Sequence, residues 1–150
     1  MIITDSFDVD APLDAVWAVL KDVPRVATCI PNAKITSVID AQTYEAEIGM
    51  KVGPVSVSYK ATIVIEKIDD AAHEMEMNVR GNEAKGRGDV TARVTSHAEQ
   101  VGTKTHVTLE TNAALTGVIA TVGGRLIEGV AKVTTAKFAQ NLAKLAAADG

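Results

Sequence analysis

Hydrophobic residues along the chain follow two different periods, and the change of period separates a predicted sheet from a predicted helix. Up to residue 115, apolar and polar side chains mostly alternate, which is typical of strands with one buried face. In residues 117–145 the apolar positions recur every three or four residues, which predicts one long amphipathic helix. The apolar stripe of this helix consists of Ile119, Val122, Leu126, Ile127, Val130, Val133, Phe138, Leu142 and Leu145.

Seven alternating segments precede the long helix and are predicted to be strands. They are residues 2–9, 35–39, 44–52, 55–65, 73–79, 90–96 and 105–115. Short turns join them, so we expect an antiparallel meander. After the first strand, residues 11–20 predict a short helix with Pro12 in its first turn. Pro24 and Pro31 bracket a second helical turn or two.

A helix with one apolar stripe has to bury that stripe, and the sheet is the large apolar surface that the chain offers. We therefore expect an α+β domain with a helix-grip arrangement. In it a curved seven-stranded antiparallel sheet wraps around the long C-terminal helix, and two short helices follow the first strand. The 150 residues are enough for one domain, residues 1–150, and too few for two. Because only 3% of the residues are aromatic, we expect a cavity between sheet and helix.

Charge, cysteine content and motifs narrow the classes of function. A net charge of −4 argues against general nucleic-acid binding, and no apolar run is long enough to span a membrane. The charged, alternating N-terminus is not expected to be a signal peptide. A single cysteine, Cys29, excludes an internal disulfide and fits a reducing compartment. His73, His97 and His106 lie at no metal-ligand spacing and no nucleophile motif occurs, so we assign neither metal ligands nor catalytic residues.

Six short segments, taken in order, are similar to the signature blocks of one family. They are Val16-Trp17 with Leu20 and Asp22, Cys29-Ile30-Pro31-Asn32-Ala33, Lys51-Val52-Gly53-Pro54, Gly86-Arg87-Gly88, Gly117-Val118-Ile119-Ala120 and Gly124-Arg125-Leu126-Ile127. Together they resemble the CoxG-like family of carbon monoxide dehydrogenase subunits, within the START-like helix-grip (SRPBCC) superfamily, over nearly the whole chain.

Two features of the chain depart from this family's pattern. Asn32 stands where the family usually has Gly, although Asn also tolerates a left-handed turn conformation. Many members carry a longer C-terminal extension that is thought to help membrane attachment, whereas this sequence stops at Gly150. We expect either a short member of the family or a shortened chain.

We predict a ligand-binding cavity from the inward faces of the predicted elements. We predict its mouth from the turns between them. The cavity residues are Met50, Tyr59, Met75, Met77, Leu109, Val122, Leu126 and Phe138. Turns of a meander alternate between two ends, and the family-like, Gly- and Pro-containing turns gather at one of them, as expected for loops around an entrance. The mouth residues are Ile30, Pro31, Lys51, Gly53, Pro54, Lys85, Arg87 and Arg125. The basic members suit anionic membrane headgroups or an acidic partner protein.

The resemblance implies a non-catalytic carrier of a hydrophobic small molecule. Carbon monoxide dehydrogenase is a soluble molybdenum hydroxylase whose electrons must reach a respiratory quinone in the membrane. The implied ligand is therefore menaquinone or ubiquinone, with its headgroup toward the basic mouth, and no covalent or metal cofactor is expected. The implied partners are carbon monoxide dehydrogenase or a related molybdenum hydroxylase and the membrane surface. We expect a cytoplasmic protein that is peripheral to the inner face of the cell membrane.

Two other functions stay open at this point. An adaptor that recruits the dehydrogenase to the membrane, or helps it mature, would need no continuous cavity. An enzyme similar to the polyketide cyclases, which share the implied fold, would need polar or ionisable side chains that point inward. Tyr59, Thr111 and His73 are the few such residues among apolar inward faces.

Overall fold

The alternating segments form one seven-stranded antiparallel sheet in the computed structural model, which describes residues 1–149. The strands are β1 (Ile2–Val9), β2 (Ala33–Val38), β3 (Thr43–Val52), β4 (Val55–Asp69), β5 (Glu74–Glu83), β6 (Asp89–Val101) and β7 (Lys104–Leu115). Their order across the sheet is β1-β7-β6-β5-β4-β3-β2. Strands β2 to β7 thus form the predicted meander, and β1 pairs with β7 at the far edge. The predicted fold class is confirmed.

Two short helices follow β1, as expected, and proline and aspartate set where they begin. Helix α1 (Leu13–Leu20) starts after Pro12, whose extended backbone cannot belong to the helix. Helix α2 (Val23–Ala27) has Asp22 at its N-cap, where the side chain accepts a hydrogen bond from the backbone N–H of Arg25. Pro24 occupies the first turn of α2, where its missing N–H is not needed.

The C-terminal helical region is divided into two helices. A 3₁₀ helix (Gly117–Val122) comes first, and the long helix α3 (Gly124–Asp149) follows it. Gly123 separates them with a φ of 90°, a backbone conformation that is strained for any residue with a Cβ. The prediction of one continuous helix from residue 117 was therefore wrong. The apolar spacing continues through the break, so periodicity alone does not reveal it.

Two packed clusters hold the sheet, the short helices and α3 together. The first lies where α1 and α2 cover the sheet, and it includes Trp17, Phe138 and Leu142. The second lies near the 3₁₀ helix and is built on Val52, Val57, Tyr59 and Ile119. The C-terminal half of α3 contributes to the first cluster.

The N-terminal half of α3 is much less buried than its apolar pattern predicts. Leu126 is 45% exposed and Val133 is 57% exposed. The prediction that both lie on a buried stripe was therefore wrong. They border an open groove, described below, instead of packing against the sheet.

Candidate functional site

A cavity of about 310 Å³, which we call the hollow, lies beside the second cluster between the sheet and α3. Inward-facing residues of the strands, among them Tyr59, Ala61 and Val79, form its floor. Val130 and Thr134 belong to the part of α3 that covers it. Small and aliphatic side chains leave this space unfilled, as the low aromatic content predicted. Its volume lies at the lower end of the range typical of ligand sites, about 300 to 1,000 Å³.

A second space of about 610 Å³, which we call the mouth, runs along the side of α3. Residues 30–32 before β2, residues 48–51 of β3 and the N-terminal half of α3 line it. Four residues border both the mouth and the hollow: Ile48, Met50, Val130 and Thr134. These four side chains therefore form the boundary between the two spaces, and a ligand that passes from one to the other has to move past them.

The mouth brings together four of the eight residues that the sequence assigned to it. Ile30, Pro31, Lys51 and Arg125 line it, although they are far apart in the chain. Gly53, Pro54, Lys85 and Arg87 are not among its lining residues. Gly53 nevertheless lies close to this region, because a Cβ added at this position would be 3.2 Å from Leu126 Cδ1.

Arg87 lies in the turn between β5 and β6, where it holds a buried carboxylate. Its Nε donates to Glu83 Oε1 at 2.9 Å, and its Nη2 donates to the Ser56 carbonyl oxygen at 2.8 Å. Glu83 also accepts hydrogen bonds from the backbone N–H groups of Ser58 and Lys85. The hydrogen bonds from Arg87 are the main reason that the pKa of Glu83 is lowered to about 2. Arg87 thus links Glu83 to the backbone of β4 and fixes the turn.

Three of the eight residues assigned to the cavity border the two spaces. Met50 lies between hollow and mouth, Tyr59 lines the hollow, and Leu126 lines the mouth. The others pack elsewhere: Met75, Met77, Leu109 and Phe138 belong to the first cluster and Val122 to the second. Alternation predicts which face of a strand is buried, but it cannot tell where along the strand α1 and α2 fill the interior. The ligand-binding roles of all eight residues remain predictions.

Several lining residues were not assigned from the sequence. Ile3 and Ile48 lie on the inward face of their strands. Strand alternation in the sequence was therefore sufficient to identify them as candidates. Thr134 and Thr135 lie between apolar positions of α3, and Lys137 is close behind them on the same helix. No signal in the sequence distinguishes these three from ordinary solvent-facing helix residues.

The mouth is basic although the whole chain is acidic. Lys51, Arg125 and Lys137 line it, and no Asp or Glu side chain is among its described lining residues. None of the three forms an ion pair with another residue of the described chain, whereas nearby Lys34 pairs with Glu47 and Lys132 with Asp5. The charged side chains that line the mouth are therefore all basic.

The described part of the chain also bears on metals and membranes. Within residues 1–149 no group of three or more His, Cys, Asp or Glu residues could hold a metal ion. No helix in this range is long and apolar enough to cross a bilayer.

Cys29 is buried, and burial raises the pKa of its thiol.

Known structures share this architecture at low sequence identity. A conserved protein from Geobacillus kaustophilus is 23% identical, covers 98% of this chain and 95% of its own, and superposes with a TM-score of 0.86. A START superfamily protein from Mycobacterium smegmatis is 10% identical over 99% of both chains, with a TM-score of 0.67. An aromatase/cyclase from a Streptomyces species is 15% identical over 97% of this chain and 93% of its own, with a TM-score of 0.66. These similarities show that the fold is the helix-grip fold.

Sequence comparison assigns the family. No curated protein matches this chain. The CoxG family of carbon monoxide dehydrogenase subunits matches residues 6–147, nearly the whole sequence. The chain therefore belongs to the CoxG family.

Proposed function

We propose that the protein is a non-catalytic carrier that binds a hydrophobic small molecule in the hollow and exchanges it through the mouth. The observation that carries the proposal is the apolar hollow itself, which adjoins an opening that Met50, Leu126 and Val133 line with exposed apolar side chains. Exposed apolar residues around a cavity are typical of an interaction site. Membership of the CoxG family, from which the sequence resemblance implied a carrier of a hydrophobic molecule, supports the same function.

The ligand that we propose is a respiratory quinone, menaquinone or ubiquinone. At about 30 Å³ for each water-sized group, the hollow holds on the order of ten non-hydrogen atoms, enough for one quinone ring. The remaining isoprenoid tail would then lie along the apolar side of the mouth. Met50 at the boundary is a flexible side chain that can adapt to a bound molecule.

Membership of the CoxG family supports carbon monoxide dehydrogenase, or a related molybdenum hydroxylase, as the partner. In this proposal the protein works in the cytoplasm at the inner face of the cell membrane. Its basic mouth faces anionic headgroups while it takes up the quinone and then presents it to the dehydrogenase. Lys51, Arg125 and Lys137 supply the attraction, which is worth about 1 kcal/mol for each basic residue near such a surface.

The two alternatives are less well supported by the described interior. An adaptor without a ligand needs no cavity, yet the hollow is not filled by side chains. A cyclase-like enzyme needs inward polar groups. His73 stacks edge-on against Trp17 in the region of the first cluster, and Tyr59 is the one of the three candidate residues that lines the hollow.

The direct test is the binding of quinone by purified protein. We expect mass spectrometry to detect a quinone in protein isolated from its native host. We also expect lipid-free protein to take up menaquinone or ubiquinone from detergent, with one quinone bound to each protein molecule. Preparations that contain no quinone and do not bind added quinone would contradict the proposal.

A pair of matched variants on α3 links this uptake to the hollow. Ala131→Leu adds a branched side chain that fills the hollow, whereas Ala136→Leu adds the same group on the exposed face of the helix. We expect the first variant to lose most of the quinone uptake and the second to keep it, with both proteins folded. Equal uptake by the two variants would show that the quinone binds elsewhere.

A further inference from the structure

Tyr59 is the most deeply buried polar side chain in the lining of the hollow. It lies on β4, opposite Ile48 of β3 and Glu83 of β5, and only 4% of its surface is exposed. Two other hydroxyl side chains line the hollow, Thr134 and Thr135, and both are half-buried residues of α3. Tyr59 therefore presents the principal polar group of an otherwise apolar floor.

The hydroxyl of Tyr59 has no hydrogen-bond partner in the described chain. Tyr44, in contrast, donates its hydroxyl hydrogen to the Ala41 carbonyl oxygen at 2.8 Å. The buried side-chain oxygens that lack both a partner and contact with open space are Asp5 Oδ2 and Ser96 Oγ, and the Tyr59 oxygen is not among them. The Tyr59 oxygen thus keeps some accessible surface, and the hollow is the cavity that the Tyr59 side chain lines.

The neighbouring carboxylate of Glu83 does not accept a hydrogen bond from this hydroxyl. Its negative charge helps to keep the phenol protonated. Glu83 directs its oxygens at Arg87 and at the backbone N–H groups of Ser58 and Lys85. Burial raises the pKa of Tyr59, and the negative charge of Glu83 raises it further. At neutral pH Tyr59 is therefore a neutral donor, and buried donors normally have an acceptor.

We propose that Tyr59 is the polar anchor of the hollow, and that its hydroxyl donates a hydrogen bond to a carbonyl oxygen of the bound molecule. The ligand enters with this oxygen first and leaves its apolar remainder toward the mouth. This inference rests on the proposed function, because it requires a ligand in the hollow. It sets the polar end of the ligand against the inner wall, opposite to the orientation that the basic residues of the mouth suggested.

The physical reason for this orientation is the difference between the two environments. A carbonyl group at the mouth can bond to water, so Lys51 or Arg125 adds little there. A carbonyl group inside the hollow has lost its water and depends on Tyr59 for a donor. A site that contains an unpaired polar group favours ligands that satisfy it over analogues that cannot.

A matched pair of small probes tests the proposal. 1-Tetralone and tetralin have the same two fused rings, but only 1-tetralone carries a carbonyl oxygen. Calorimetric titration gives the affinity of each probe for the wild-type protein and for Tyr59→Phe, which keeps the ring and removes the hydroxyl. We expect the variant to bind 1-tetralone roughly 3- to 10-fold more weakly and to bind tetralin unchanged.

Tyr44→Phe is the control, since it removes the hydroxyl from a tyrosine of the first cluster that lines neither the hollow nor the mouth. We expect it to leave both affinities unchanged. The proposal is overturned if Tyr59→Phe alters neither affinity or weakens both probes equally, because the tyrosine would then act through packing alone. It is also overturned if Tyr44→Phe weakens the binding of 1-tetralone as much as Tyr59→Phe does. In those cases tetralin still binds to the wild type, and the proposed function stands. A wild-type protein that binds neither probe would contradict both the role of Tyr59 and the proposed function.

Discussion

Glu83 is a carboxylate on the inward face of the sheet, with a side chain that is only 1% exposed. A buried charge is tolerated when hydrogen bonds satisfy its oxygens. Here Arg87 donates to both oxygens, and the backbone N–H groups of Ser58 and Lys85 donate as well. This arrangement ties the turn between β5 and β6 to the start of β4. It also explains why Arg87 does not line the mouth, where its position in the chain suggested it would lie.

The pKa of Glu83 leads to a prediction about stability and pH. Its lowering from 4.5 to about 2 means that the charged form is favoured in the folded state. The stabilising contribution is therefore fully present above about pH 4.5 and is lost as the pH falls toward 2. We expect the free energy of unfolding of the wild type to drop more steeply across this range than that of Glu83→Gln.

Urea denaturation at a series of pH values measures this difference. Asp40 and Asp70 also have lowered pKa values, because of hydrogen bonds from Gln42 and from Lys21. They are present in both proteins, so the difference between the two curves isolates Glu83. Parallel curves would show that the carboxylate contributes no acid-dependent stability.

Helix α3 has two halves with different surroundings. Its C-terminal half packs against the first cluster, where Leu142 is 0% exposed. Its N-terminal half begins after Gly123 and borders the hollow on one side and the mouth on another. The same apolar spacing therefore serves packing in one half and access to a cavity in the other.

Two leucine substitutions separate these roles. Leu142→Asp buries an unpaired carboxylate in the first cluster, so we expect it to destabilise the fold by several kcal/mol. Leu126→Asp places the carboxylate at a 45% exposed position of the mouth, so we expect a change of less than about 1 kcal/mol. The second variant should instead weaken the uptake of a hydrophobic ligand. Thermal unfolding and quinone uptake measure the two effects, and equal destabilisation would mean that Leu126 packs as the sequence pattern suggested.

The whole molecule carries a net charge of −4, yet its mouth is lined by three unpaired cations and no described carboxylate. Electrostatic attraction to an anionic surface therefore depends on orientation, because only the face around the mouth is favourable. A carrier of this kind would approach a membrane with its opening toward the lipid.

Reversing the charge of Lys51, Arg125 and Lys137 to Glu tests this orientation. We expect the triple variant to lose at least roughly a hundredfold in affinity for anionic phosphatidylglycerol-containing vesicles at low salt. Each basic residue near such a surface contributes about 1 kcal/mol, and the introduced glutamates add repulsion. The loss should shrink as salt screens the interaction.

Reversal of Lys60, Lys67 and Lys104 provides the control. These three are exposed, lie outside the mouth and give the same change in net charge. Vesicle sedimentation compares the two variants. An equal loss in both would mean that net charge, and not the mouth, governs the association.

The sequence by itself determined the class of fold and, for most strand residues, the face of the sheet on which they lie. Strand alternation predicts a face for most strand residues, apart from the register shifts in β2 and β4, because the period of two reflects burial on one face. The long apolar stripe requires a sheet to cover much of it. The alternation of turns in a meander predicted that the family-like, Gly- and Pro-containing turns lie at one end. The antiparallel meander of β2 to β7, the two short helices after β1 and a long C-terminal helix are confirmed, whereas the pairing of β1 with β7 and the break at Gly123 were not predicted.

Only the tertiary structure decided where the interior is filled and where it is open. Met75 and Tyr59 both face inward, yet one packs beneath the short helices and the other borders the hollow. That difference depends on how far α1 and α2 extend over the sheet, which no strand pattern records. Arg87 and Arg125 are both basic residues near turns, and only the nearness of Glu83 separates a structural ion pair from an opening to solvent. Such contacts join segments that are distant in the chain, so they depend on the folded structure. They determine which residues line the hollow and the mouth.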